Sequence, residues 1–380
     1  MDNLTIFDLL PEEEAKKYRP IKSTDWKWTM KDDYPKEKNG LKVFSCFACG
    51  GGSTMGYKLA GCEVVGCCEI DKKMNDVYIK NHHPKHNFLM DIREFNKIPD
   101  NELPKELFNL DILDGSPPCT TFSMAGDREE SWGKKKKFRE GQAEQTLDDL
   151  SFVFIETVAK LRPKVMIMEN VEGLLKGEAF NYVQKIYKNL MELGYQVKHW
   201  LLKGEHMGVP QRRHRAFFVA LRDDIEFDLQ RLDMSFNYEL ITYGKVKEGK
   251  MSPVKDGTDY RRLILSALPS EKTIGDVNMR LHNKLSGFQS FLIDDNDLIP
   301  TLRTKADIFD RNSVSYISKE TLINAQTFSQ DYDFISNTRA NINYICGMSV
   351  PPIMIKRIVT RLIEKGVFDY KLKGREGETD

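Results

Sequence analysis

Apolar residues along this chain fall into short continuous runs, separated by polar stretches with helical spacing. That alternation is expected of strands buried on both faces with helices between them. LKVFSCF (41–47), EVVGCCE (63–69), HNFLM closing on Asp91 and Ile92, the opening of DILDGSPPC, KVMIME (164–169), QVKHWLL and Ala216 to Leu221 each read as a strand. STMGYKLAG, DKKMNDVYIKNH, TLDDLSFVFIETVAKLR and EAFNYVQKIYKNLMELG have helical spacing, and Pro163 stops the third of them. The pattern predicts an α/β fold. From about Asp223 to Asp297 the texture changes to short apolar runs, scattered basic residues and turn residues, which predicts a separate small module, irregular and β-rich, with few helices. IPTLRT and a helix-like stretch in SKETLINAQTFSQDYDF follow, and Asn343 to Gly366 reads as an amphipathic helix introduced by Pro351 and Pro352. Residues 1–40 show no sustained period and read as an extension, and no internal repeat is visible.

Chemistry-bearing residues collect where these strands end. Ala48 to Ser53, ACGGGS, is a glycine-rich turn between strand and helix, half of a nucleotide site, because glycines admit close approach of a ligand to the backbone. Glu69 ends the next strand about twenty residues later, where doubly wound sites place a carboxylate for ribose hydroxyls. Asp91 ends the third; the ordinary reading of each acid is a helix cap or turn residue. In DILDGSPPC two prolines stiffen the exit from a strand and hold Cys119 at its carboxyl edge, where a thiolate can act as nucleophile. KVMIME delivers Glu169, followed by Asn170 and Val171. In GVPQRRHRAFFVALR, Gln211, Arg213 and Arg215 alternate and share one face of an extended backbone, a density of arginine suited to recognising an anion or a base. The charged, glycine-containing stretch after Cys119 reads as a lid.

Composition narrows the class. The 380 residues are 40% hydrophobic and 30% charged, ordinary values for a globular protein with a substantial core. The amino terminus has no basic start and no uninterrupted apolar segment, which points to a cytoplasmic protein without a membrane span. Seven cysteines, five of them crowded between Cys46 and Cys68 in apolar sequence, argue for reduced thiols over a disulfide framework. Net charge is zero, so a polyanion must be held by local patches such as Lys134 to Lys137 or the basic excess between Gly244 and Lys284.

The ordered set FACGGG, Glu69, Asp91–Ile92, PPC at Cys119, ENV at Glu169 to Val171, QRRHR at Gln211 to Arg215, KETLINAQTF and GMSVPP at Gly347 to Pro352 resembles the cytosine-5 DNA methyltransferase family from Val43 to about Gly366. The resemblance implies a Rossmann-like, doubly wound catalytic domain over 41–222, a target-recognition domain over 223–297 and a carboxy-terminal segment, 298–380, that returns to the catalytic domain beside the first strand. It implies methyl transfer from S-adenosyl-L-methionine to C5 of a cytosine flipped out of duplex DNA, in a bacterial or phage modification system, by a monomer that is nucleoid-associated while bound to DNA. Cytosine C5 is a poor nucleophile, and addition of a thiolate at C6 activates it. Cys119 is assigned that role, Glu169 the proton at N3, and Arg215 with Arg213 the base O2 and neighbouring groups. The cofactor would take Phe47, Gly50, Gly51, Gly52, Glu69, Ile70, Asp91, Ile92, Pro117, Leu150, Ser349 and Val350; the DNA would take Ser123, Asn170, Val171 and Gln211. Where the family usually has an acidic or small residue, a first glycine, a Gln after PPC and an Asn after Gly347, this chain has Ser45, Cys49, Thr120 and Met348.

Three other readings compete. Cys46-x-x-Cys49 with Cys62, Cys67 and Cys68 has the look of a zinc or redox cluster, but a strand end and apolar neighbours offer no ligand geometry, and no metal is expected. A tRNA cytosine-5 methyltransferase shares the PPC and ENV blocks, while the module of about seventy residues favours duplex DNA. A catalytically silent DNA-binding protein has no need of Cys119, Glu169 and Arg215 together.

Overall fold

The computed structural model describes residues 19–118, 150–304 and 307–369. Seven strands, β1 (Lys42–Cys46), β2 (Glu63–Glu69), β3 (His86–Leu89), β4 (Ile112–Gly115), β5 (Val165–Val171), β6 (Tyr195–Lys203) and β7 (His214–Arg222), form one sheet in the order β3-β2-β1-β4-β5-β7-β6. Neighbours from β3 to β5 pair in parallel, and β7 runs antiparallel to both β5 and β6. Strand order reverses between β1 and β4, so the turns leaving these strands diverge and open a crevice at their carboxyl ends. The glycine-rich turn and the proline pair flank that crevice.

Successive strand residues are buried on opposite faces, which is why the runs are continuously apolar. Val43, Ile112, Ile167 and Phe217 belong to one core, and Phe44, Leu113, Met168 and Phe218 to the other. Helices α1 (Gly52–Leu59) and α2 (Lys72–His82) connect the first three strands; α3 (Ile92–Lys97), α4 (Leu150–Leu161) and α5 (Phe180–Glu192) follow. Asp71 caps α2 and Asp91 caps α3, accepting bonds from backbone N–H groups of their first turns.

A second, four-stranded sheet, in the order β8 (Ser252–Pro253), β11 (Ser315–Tyr316), β10 (Ile308–Asp310), β9 (Phe291–Ile293), takes strands from both sides of residue 297. Within 223–297, helices α6 (Asp259–Ser266) and α7 (Ile274–His282) accompany only β8 and β9, so the stretch holds more helix than its texture predicts. A Thr273–Asp276 capping box starts α7. The expected single helix over Asn343 to Gly366 is two: after α8 (Lys319–Gln326) come α9 (Arg339–Met348) and α10 (Pro352–Glu364). The prolines break the run because Pro351 and Pro352 have no N–H to continue α9, while Pro352 begins α10 at a position that needs none.

Helix α10 returns to α1 and closes on it. A Cβ on Gly56 would lie 2.4 Å from the Pro352 carbonyl oxygen and 2.5 Å from Ile355 Cβ. The stretch from residue 19, read as an extension, is packed instead: Trp28 is buried and donates from Nε1 to the Thr327 carbonyl at 2.9 Å, and Asp25 pairs with Arg357 at 2.5 Å. Among the described residues no helix is long and apolar enough to cross a membrane.

Candidate active site

Phe47, Glu69, Ile70, Asp91, Ile92 and Leu150 line one narrow cleft at the carboxyl ends of β1 to β3, together with Cys68 and Met90, which sequence reasoning did not assign to the cofactor. The turn after β1 reaches it through residues of positive φ: Phe47 at 54° and Cys49 at 47°. Cys49 thus occupies the left-handed conformation that a glycine takes without steric cost and that costs a residue with a Cβ roughly 1–2 kcal/mol. Glu69 fixes the turn, its Oε2 accepting from Cys49 N and its Oε1 from Asp71 N, both at 2.7 Å. Burial pushes its carboxyl up to about 6, against the pull of those N–H groups.

The three glycines are small for a reason other than ligand approach. A Cβ on Gly50 would meet Ile345 at 2.9 Å, one on Gly51 would enter the His82 ring, and one on Gly52 would lie 2.4 Å from the Val350 carbonyl oxygen. Ser349 and Val350 therefore act on the cofactor turn through packing, with Ser349 Oγ donating to the Ile345 carbonyl at 2.8 Å. Tyr332, absent from the sequence reading, donates from its hydroxyl to the Gly50 carbonyl.

Beside the crevice, β5 and β7 bring Glu169 and Arg215 together. Arg215 Nε lies 2.9 Å from Glu169 Oε1, both side chains being mostly buried but not sealed. Burial lowers the arginine's pKa and the carboxylate partly restores it. Asn170 Nδ2 donates to the Pro117 carbonyl at 3.4 Å, and Asn170 Oδ1 accepts from Val171 N at 2.8 Å, linking the end of β5 to the turn that leads toward Cys119. Cys119 and Ser123 lie outside the described residues.

Gln211 and Arg213 share the alternating stretch with Arg215 but are spent on the protein. Gln211 Oε1 accepts from Leu302 N at 2.8 Å and its Nε2 donates to Gln326 Oε1 at 2.8 Å and to the Ala325 carbonyl at 3.1 Å. Arg213 donates to the carbonyls of Leu302, Gly347 and Ser349 at 3.1, 3.2 and 2.9 Å. These bonds hold the carboxy-terminal segments against the start of β7.

One buried cluster was missed entirely. Asp114, on β4 beside Ser45 of β1, accepts from Ser45 Oγ at 2.7 Å and from the Tyr57 hydroxyl at 3.0 Å. Burial pushes its carboxyl up to about 7, the two donors oppose this, and the charge of Glu169 adds to it. An acid inside an otherwise apolar strand run was the signal available in the sequence. The six described cysteines are unpaired, and burial pushes the thiols up, Cys49 to about 12 and Cys62 to about 11, which disfavours their thiolates.

The lining of the cleft has the chemistry of an adenosine site. Phe47, Ile70, Ile92 and Leu150 supply apolar walls for a flat ring, Glu69 an acceptor for ribose hydroxyls and Asp91 one for an exocyclic amine. A carboxylate and a guanidinium are paired near it, at the carboxyl edge of a doubly wound sheet. Residues 41–364 match the C-5 cytosine-specific DNA methylase family, and the chain belongs to it. Members of that family use S-adenosylmethionine as methyl donor.

The chain is 30% identical over 201 residues to the type II methyltransferase M.NgoPII of Neisseria gonorrhoeae, a match that covers 52% of each protein, so it spans about half the length of that relative. It is 24% identical over 351 residues to the type II methyltransferase M1.HphI of Haemophilus parahaemolyticus, covering 85% of this chain and 87% of the other. In fold it is similar to a DNMT2 mutant of Spodoptera frugiperda, with a TM-score of 0.61 at 15% identity over 85% of this chain and all of that one.

Proposed function

We propose that the protein methylates C5 of a cytosine flipped out of a specific duplex DNA site, within a bacterial or phage modification system, through a covalent bond between Cys119 and C6. The Glu169–Arg215 pair at 2.9 Å carries the reading, because a carboxyl and a guanidinium held side by side match the N3 and O2 edge of a cytosine. As the Cys119 thiolate adds at C6, electron density moves into the ring; Glu169 shares a proton with N3 and Arg215 donates to O2. S-adenosylmethionine, when bound, supplies the electrophilic methyl group. Loss of the C5 proton and expulsion of the thiolate then restore the ring. Asn170, through Pro117, steadies the turn that presents Cys119. Target reading is assigned to the module at 223–297, since base-edge contacts and not phosphate contacts carry sequence information.

Duplex DNA carrying 5-fluorocytosine tests this. Fluorine cannot leave as a proton, so elimination fails, and a protein–DNA adduct should survive denaturing electrophoresis when S-adenosylmethionine is present. Cys119→Ala should give none, and Glu169→Gln should form it slowly. The same base in folded tRNA is the contrasting arm: an adduct there and none with DNA would move the enzyme to RNA, and none with either would remove Cys119 from its role.

A further inference from the structure

The segment from Ile299 to Thr304 is stitched to both halves of the site. Arg212 N donates to the Ile299 carbonyl at 2.8 Å, Leu302 is held at its N–H by Gln211 and at its carbonyl by Arg213, and Asn343 Nδ2 donates to the carbonyls of Arg303 and Thr304 at 2.9 and 3.3 Å. Gly347 presses on the same residues: a Cβ there would lie 2.6 Å from the Arg303 carbonyl carbon. The backbone of Arg303 is thus fixed beside the start of β7 although its side chain takes no part in fixing it.

That side chain is a half-buried cation next to another cation. Its charge is close enough to Arg215 to lower that group's pKa. Among the described residues no carboxylate or carbonyl is hydrogen-bonded to the Arg303 guanidinium. The acids nearby are engaged, Glu169 with Arg215 and Glu172 with Lys176 at 2.7 Å and His214 at 3.4 Å. Arg303 therefore adds a second positive charge close to the Glu169–Arg215 pair, and among the described residues no acid is bonded to it, a setting that favours the arrival of an anion.

We propose that Arg303 is a substrate-binding residue that receives a backbone phosphate of the DNA next to the flipped cytosine. This rests on the reading of duplex DNA as substrate. The base edge engages Glu169 and Arg215, so the anion available at this distance is the phosphate joined to that nucleotide, and a planar guanidinium suits its oxygens. The carboxylate of S-adenosylmethionine has the same charge, and the experiment separates the two.

Binding of plasmid duplex and of S-adenosylmethionine is measured separately for wild type, Arg303→Ala, Arg303→Gln and Arg303→Lys between 50 and 200 mM salt, with KM and kcat alongside. Because the bonds that place residue 303 come from its backbone, all three variants should fold. Removing one phosphate contact should weaken DNA binding roughly tenfold, make the log–log salt slope shallower by about one, and raise the KM for DNA far more than it lowers kcat. Cofactor affinity should not change, and Arg303→Lys should keep most of the slope. Wild-type DNA affinity and slope in Arg303→Ala and Arg303→Gln overturn the assignment, as does a loss confined to cofactor binding. A wild-type protein that neither binds nor methylates duplex DNA overturns the substrate reading and this inference with it.

Discussion

Asp114 is the residue whose surroundings are most at odds with its chemistry, a carboxyl almost fully buried between Ser45 and Tyr57. In an unfolded chain it would ionise near pH 4, whereas in the fold it is pushed up to about 7. Between those values the unfolded state releases the proton and the folded state keeps it. Its contribution to stability is therefore complete below pH 4, falls as pH rises, and is gone above about 7. Asp114→Asn should flatten that part of the curve, gaining on the wild type in denaturant midpoint between pH 5 and pH 8; parallel midpoints across that range would show that Asp114 does not titrate there. Glu69, pushed up to about 6, contributes with the same sign and remains in both proteins. The two acids also mark how far residues were legible. Glu69 announced itself by its distance from the glycines, and the structure lines the cleft with it. Asp114 did not, because its role depends on Ser45, 69 positions away in sequence, and on Tyr57 of helix α1.

At the scale of elements, the strands and most helices were readable because burial on both sheet faces imposes continuous apolar runs and the helices between them carry a 3.6-residue period. What the period could not show was where helices touch. Gly56 looks like an ordinary weak point in α1, yet it lies under Pro352 and Ile355 of a helix some three hundred residues later. Alanine is the better helix former by up to about 1 kcal/mol. Gly56→Ala should nevertheless destabilise the protein by about 1–3 kcal/mol, since the intruding methyl meets backbone and a branched side chain that have no room to move. Thermal unfolding checks the sign, and a raised midpoint would mean that the two helices separate freely. Cofactor affinity should fall in the same variant, because a displaced α1 carries Gly52 away from Val350.

For the whole molecule, the boundaries read from sequence texture and the pairing of strands differ in one useful respect. Strand β9 lies before residue 297, and its partner β10 lies after it. An exchange of 223–297 for a relative's module would cut that pairing; carrying Ile308–Asp310 and Ser315–Tyr316 along keeps the small sheet whole while leaving Ile299 to Thr304 on the catalytic side. The second exchange should yield an active enzyme with a changed methylated sequence, read by bisulfite sequencing, and an active chimera keeping the original preference would take specificity away from this module. The first should be the less stable of the two. The return of α10 to α1 bears also on synthesis. A ribosome makes the glycine-rich turn some three hundred residues before the carbonyl of Val350 and the crossing with Pro352 and Ile355 exist. The nascent polypeptide therefore cannot close its glycine-rich turn when that turn emerges, and the pocket stays unfinished until a helix from far along the chain has arrived to pack on it.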